Sequence, residues 1–384
     1  MIISIDWLKD FIDIEETPEE LSNMLSTLGL EAECDNQFGD IKDVVIGEVI
    51  SVSDHPNADR LNVCMVSDGQ KEFQVVCGAP NVAEGQIIAY AKVGSTLPGG
   101  FNLEQIKLRG VESNGMICSA RELNISDDHD GILVLPESCR LGANFVDEYA
   151  NKFLKIVLDI TPNRPDAFSH YGVARDISVF KKRTLKPLTF EVKNTNNAST
   201  FNISISDQKD CPRYIGAIVN DVKVGPSPTW IQDRLIAAGQ RPINNLVDIS
   251  NYVLMEMGQP THIFDWDKVS SDEMSVRRAH KNESITPLDQ DSYKLNENNL
   301  LITDGDKPIA IAGVMGGYNS AVNEETKTIF IESAYFDPIV IRKSSKSLLL
   351  STEASKRYER GADPQGALSA FWRIINLIEE YAGG

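Results

Sequence analysis

From Asp40 to about Asp147 the chain runs in short alternating stretches: VVIGEVISV (44–52), LNVCMVSDG (61–69), FQVVCG (73–78) and IIAYAKVG (87–94). A period of two puts successive side chains on opposite faces of a strand, a pattern no helix can satisfy. Strands of this kind, broken by Gly or Pro at short intervals, must curl or stack to bury their apolar face. A small closed β-barrel or a sandwich is therefore expected here.

The flanking sequence has a different texture. Thr17-Pro18-Glu19-Glu20 combines an N-cap, a proline at the first helical position and a glutamate placed for a capping box. Leu21, Met24, Leu25 and Leu28 give that helix its apolar face, and Gly29 ends it. Phe153–Lys182 is again helix-rich, with Asn163-Arg164-Pro165-Asp166 as a turn before a helix carrying Phe168, Tyr171, Val173, Ala174 and Ile177. It is expected to pack against residues 1–38, which makes the β segment (39–151) an insertion in a split domain. Thr184–Thr200, polar and Asn-rich around Pro187, reads as a linker closing the second part, 152–196. The remainder, 197–384, mixes strands with helices, as in an α+β domain.

Within that last part, RPINNLVDISNYVLMEMGQPTHIFD (241–265) is organised around a helix. Ile243, Leu246, Val247, Val253, Leu254 and Met257 fall on one face at three- and four-residue spacing. Gly258 supplies the left-handed residue that stops a helix, and Pro260 prevents its resumption. Thr261 and His262 are thus expected on a rigid loop beyond a packed helix.

The net charge of −19 excludes a global field attractive to nucleic acid, so any such contact must come from a local patch. The segment 39–151 carries eight Lys/Arg against seventeen Asp/Glu, a net of −9. Six cysteines are widely spread, with no CxxC and no nearby pair of histidines, which argues for reduced thiols and against a zinc site. No apolar run approaches the ~20 residues a membrane helix needs, and the charged start MIISIDWLKDF is unlike a signal peptide. A cytoplasmic location follows as the expectation.

There is no P-loop, no GxGxxG after a strand, no GxSxG elbow and no HExxH. Four features of the last domain could carry chemistry. Pro260-Thr261-His262 is one. Ala312-Gly313-Val314-Met315-Gly316-Gly317 is a glycine-rich turn where backbone N–H groups could approach a ligand, or simply a tight turn. Glu332, inside the apolar run Ile329–Ala334, should be costly unless hydrogen-bonded, or else faces solvent on an edge strand. The segment 342–360 holds six Lys/Arg against two Glu: Arg342, Lys343, Lys346, Lys356, Arg357 and Arg360 are candidate phosphate contacts, or a solvated charged face.

Two resemblances attach to these motifs. HPNADRL (55–61), CGAPNV (77–82) and KLRGVESNGMICS (107–119) resemble the tRNA-binding OB-fold domain of synthetase-associated proteins. RPINNLVDISNYVLMEMGQPTHIFD, IAGVMGG, TIFIESAYFDP and LSTEASKRYERGADP, in this order, resemble the B3/B4 editing domain of the bacterial phenylalanyl-tRNA synthetase beta subunit. With the split N-terminal domain and the inserted OB barrel, the likeness covers essentially the whole chain, which then looks like an N-terminal fragment of that longer subunit.

The resemblance implies hydrolysis of mischarged Tyr-tRNA(Phe). Carried over by position, Glu332, with a backbone N–H near Gly316, would grip the tyrosine phenol. His262 and Thr352 would line the ester and terminal ribose, while Pro260 and Ala354 would shape the walls. A positioned water would attack, with His262 as general base the alternative. The implied partners are tRNA(Phe) and the alpha subunit, in an assembly of two alpha and two beta chains. ATP and Mg²⁺ would be used by the assembled enzyme, with no cofactor in this part. The competing reading is a non-catalytic scaffold that docks tRNA and the alpha subunit.

Overall fold

A computed structural model describes residues 1–34, 37–192 and 201–384. The end of the proposed linker, and with it the boundary at 196/197, lies outside the described residues. By compactness the chain divides into two units. Met1–Ile3, Trp7–Glu33 and Val157–Gly384 form one, and Ser4–Asp6 with Cys34–Ile156 form the other.

In the first unit, helix α1 (Pro18–Thr27) starts as its sequence dictates. The Thr17 hydroxyl accepts from the Glu20 amide (3.2 Å), and the Glu20 carboxylate accepts from the Thr17 amide (3.0 Å). Leu21, Met24 and Leu25 face inward.

The second unit is built on strands β1 (Lys42–Asp54), β2 (Asn62–Ser67), β3 (Glu72–Cys77), β4 (Ile87–Leu97) and β5 (Gly115–Ile117). They pair antiparallel in the order β5-β4-β1-β2-β3, around a core that includes Val49, Cys64, Val66, Val75, Ile88 and Tyr90. The expected closed barrel is corrected to an open sheet. Among the described residues no ladder joins β3 to β5. That gap is crossed by single hydrogen bonds instead: Asn114 N to Gln74 O (2.8 Å), Val76 N to Ser113 Oγ (3.0 Å) and Gln74 Nε2 to Glu112 O (2.8 Å). The chain breaks its extended path at Asn114, and Gly115 takes φ +138°, so only short pieces of strand are offered to β3.

Returning to the first unit, helix α2 (His170–Lys181) begins at Ser169, whose hydroxyl accepts from the Gly172 amide at 2.9 Å. The Trp7 indole stacks on His170 (centroids 4.1 Å apart) and on Tyr252 (4.6 Å). The early segment is thereby sealed into the same core as residues from the C-terminal part.

That part contains, in order, β6 (Asn202–Ile205), β7 (Arg213–Val219), α3 (Thr229–Ala237), α4 (Asn245–Met257), β8 (Thr261–Asp265), β9 (Glu273–Arg278), β10 (Leu300–Asp304), β11 (Lys307–Ile311), β12 (Met315–Gly316), β13 (Ile329–Tyr335), α5 (Pro338–Leu348), α6 (Glu353–Tyr358) and α7 (Gly366–Tyr381). One sheet has the order β7-β13-β8, the other β6-β9-β10-β11-β12. Phe264 and Phe330 from the first and Ile302 and Ile311 from the second share one core. Each such buried side chain contributes roughly 1.5–3 kcal/mol.

Helix α4 matches its sequence expectation with two corrections. Asn244 caps it through its side-chain oxygen (3.0 Å from the Val247 amide), and Gly258, at φ +78°, ends it. Ile243 precedes the helix and is 67% exposed, because the buried face turns on Leu246, Ile249, Tyr252 and Val253. Thr261 and His262 are not on a loop: they begin strand β8, since β13 offers them a pairing partner.

Candidate functional site

Strand β13 is central, flanked by β7 and β8, and is buried from Ile329 to Ala334. Glu332 is therefore not on a solvent-facing edge. It lies opposite Gly216 on β7 and opposite His262 on β8, so the carboxylate and the imidazole share a face of the sheet. Glu332 is only 5% exposed.

Its hydrogen-bond partner is the Tyr214 hydroxyl, which donates to Oε2 at 2.8 Å. Burial pushes the carboxyl up to about 7, and the Tyr214 hydroxyl pulls the other way. Burial pushes the His262 imidazole down to about 4. His262 Nε2 is buried without a hydrogen-bond partner among the described residues. At neutral pH the site thus holds an uncharged imidazole beside a carboxyl near its midpoint.

Both face a small pocket with a cavity volume of about 60 Å³. Pro260, His262, Gly316, Glu332 and Ala354 all line it, together with apolar side chains such as Ile302, Ile311 and Val314. Gly316 belongs there for a steric reason. A Cβ at that position would overlap the His262 ring, 2.5 Å from Nε2. The expected glycine-turn role is therefore a close approach between β12 and the imidazole.

Thr352 is placed differently. It caps α6, accepting from the Ser355 amide (3.0 Å) and donating its hydroxyl proton to Val314 O (2.8 Å). It holds the glycine turn against the helix instead of lining the pocket.

The six candidate phosphate contacts separate by burial. Arg342, Lys343 and Lys346 are exposed on α5. Lys356 is paired with Glu353 (2.9 Å), and Arg360 donates to Ile160 O (2.8 Å). Arg357 is corrected: only 2% exposed, it donates to Phe168 O (3.1 Å) and to the Glu353 carboxylate (2.9 Å), so no phosphate can reach it.

Three residues of the site were not anticipated from the sequence. Tyr214 approaches Glu332 from β7. Tyr358 lines the pocket and donates to Ala334 O (2.9 Å), and Gln259 Nε2 donates to the same oxygen (2.8 Å). A buried Glu demands a partner, which was a usable signal, but nothing in the sequence says which strand supplies it. Among the described residues no group of three or more His, Cys, Asp or Glu is arranged to hold a metal ion. No helix among them is long and apolar enough to cross a membrane.

The class is defined by two domain models. Residues 210–383 match the B3/4 domain, and residues 44–144 match a putative tRNA binding domain. The phenylalanine–tRNA ligase beta subunit of Syntrophus aciditrophicus is 43% identical over 390 residues, covering 100% of this chain and 48% of that protein. The same subunit from Geobacillus kaustophilus is 44% identical over 395 residues, covering 100% of this chain and 49% of that protein. Over its whole length the chain is similar to phenylalanine–tRNA ligase beta subunits, and it spans about half the length of the curated relatives it matches.

Proposed function

We propose that the pocket beneath β8 and β13 hydrolyses the ester of tyrosine mistakenly attached to tRNA(Phe). The observation that carries this reading is Glu332: a buried carboxylate with one hydrogen-bonded oxygen, facing an apolar pocket. A hydrophobic pocket rejects an added hydroxyl by only ~10²-fold, whereas a site that bonds the hydroxyl can discriminate by ~10⁴–10⁵. An acceptor at the end of an apolar pocket selects tyrosine over phenylalanine by that second route.

The imidazole is a poor general base, because a group held near 4 has little affinity for a proton at neutral pH. Its role is to present an unpartnered, uncharged nitrogen to the ester or the terminal ribose. The Thr352 hydroxyl proton is committed to Val314 O, so it acts by fixing the glycine turn. Catalysis then rests on holding a water and the ester carbonyl in line, with orientation supplying the rate.

In this reading the chain works as part of a cytoplasmic phenylalanine–tRNA ligase, with tRNA(Phe) and an alpha subunit as partners, two of each subunit. ATP and Mg²⁺ serve aminoacylation in the assembled enzyme. Arg342, Lys343 and Lys346, exposed on α5, are the residues that would meet RNA phosphates in this reading.

Deacylation of Tyr-tRNA(Phe) and Phe-tRNA(Phe) by this chain and by the complete enzyme tests the reading. Selective loss of the tyrosyl ester, with the preference abolished by Glu332→Ala, is expected. Absence of tyrosyl hydrolysis in both would refute it and favour a scaffold that only docks tRNA and its partner subunit.

A further inference from the structure

The carboxylate that selects the phenol is itself held by a phenol. Tyr214 pairs with Ala334 in the β7–β13 ladder, and Gly216 pairs with Glu332, so Tyr214 lies diagonal to Glu332 on the same face. A diagonal neighbour in a sheet is within reach of an aromatic side chain. The Tyr214 ring packs against the core shared by the two sheets. Its hydroxyl meets Oε2 of Glu332 at 2.8 Å, and no other described side chain is bonded to that carboxylate. Glu332 lines the pocket and Tyr214 does not, so Tyr214 stands behind it.

We propose that Tyr214 is the positioning residue for selection: by holding Oε2 it fixes the carboxylate and leaves Oε1 as the acceptor for an incoming phenol. This rests on the reading of Glu332 given above. Without the hydroxyl, the carboxylate is free to turn about its last torsion, and its charged form loses its hydrogen-bonded partner. A protonated, rotating acid tolerates a phenyl ring that leaves it unbonded, whereas a fixed carboxylate with one open acceptor does not.

The other groups around Glu332 do not supply this hold. His262, opposite it on β8, is kept neutral by burial and is not bonded to it. The Tyr358 hydroxyl is engaged with Ala334 O, and the Cys211 thiol is pushed up to about 12, chiefly by burial. Burial and Tyr214 are the two influences that set the proton affinity of Glu332.

The test compares the full chain with its Tyr214→Phe variant, which keeps the ring and removes the hydroxyl. Two quantities are measured from pH 5 to 9: the carbon-13 titration of the Glu332 carboxyl, assigned by its absence in Glu332→Gln, and the tyrosyl-over-phenylalanyl ratio of kcat/KM for deacylation. The Glu332 midpoint should rise by about one unit, and the ratio should fall by about tenfold at neutral pH. Its pH profile should move with the midpoint. Installing 4-aminophenylalanine at position 214, which restores a donor, should recover part of the ratio. It also serves as the comparison if Tyr214→Phe does not fold. An unmoved midpoint, or an unchanged ratio despite a moved one, overturns the role of Tyr214 while leaving the editing pocket intact. Lack of tyrosyl preference in both the unaltered chain and the complete enzyme instead overturns the editing reading, and this inference with it.

Discussion

Replacing Glu332 by Gln makes a test of the site that needs no RNA. The ordinary glutamate value is 4.5, and burial raises Glu332 to about 7 in the folded chain. Between those values the unfolded carboxyl is ionised while the folded one keeps its proton. The folded state then binds more protons than the unfolded state, so stability falls as pH rises through this window. At 1.36 kcal/mol per pH unit, the span from 4.5 to about 7 is worth ~3 kcal/mol, present below about pH 4.5 and lost above about pH 7. Gln keeps the shape and an oxygen to accept from Tyr214, but does not titrate.

The assay is urea unfolding at pH 5 and pH 8.5, followed by tryptophan fluorescence. Trp7, Trp230, Trp266 and Trp372, all four tryptophans of the chain, lie in the unit that contains the pocket, so the signal reports that unit alone. Relative to the unaltered chain, Glu332→Gln should gain ~3 kcal/mol on going from pH 5 to pH 8.5. His262 titrates in both proteins and cancels in the comparison. A difference that stays constant across this range would show that Glu332 does not keep a proton in the folded state, and the account of its burial would fail.

Two further perturbations separate the pocket from its surroundings. Gly316→Ala drives a methyl into the His262 ring. It should cost roughly 1–3 kcal/mol by overpacking and abolish tyrosyl deacylation, as read by thermal unfolding and an ester-release assay. Arg357→Gln should destabilise the chain by roughly 3–5 kcal/mol, because it strips a buried cation from Glu353 and Phe168. The exposed set Arg342→Gln, Lys343→Gln and Lys346→Gln should change stability by less than about 0.5 kcal/mol per site. It should instead weaken tRNA binding and flatten its salt dependence, by about 0.7–0.9 in log–log slope for each phosphate no longer neutralised. A filter-binding titration against salt checks this, and an unchanged slope would remove α5 from the RNA interface.

Much of this protein was decided by its sequence. The capping box at Thr17 and the glycine stop of α4 follow from hydrogen bonds and periodicities within a dozen residues, which are present before any tertiary contact forms. Pro260, His262, Gly316, Glu332 and Ala354 were also legible, because their motifs are continuous in the chain and tied to a family. What only the tertiary structure decided depends on which segments meet. Strand pairing made His262 part of β8 instead of a loop, and put Glu332 on a central strand. Packing across the core buried Arg357 within a run that reads as net basic. It left the second unit's sheet open where a closed barrel was expected. Tyr214, 118 residues before the carboxylate it holds, carries no local mark of that duty. Local bonds fix elements, but burial and cross-strand neighbours are properties of the assembled core. They set the proton affinity of Glu332 and the fate of each charge.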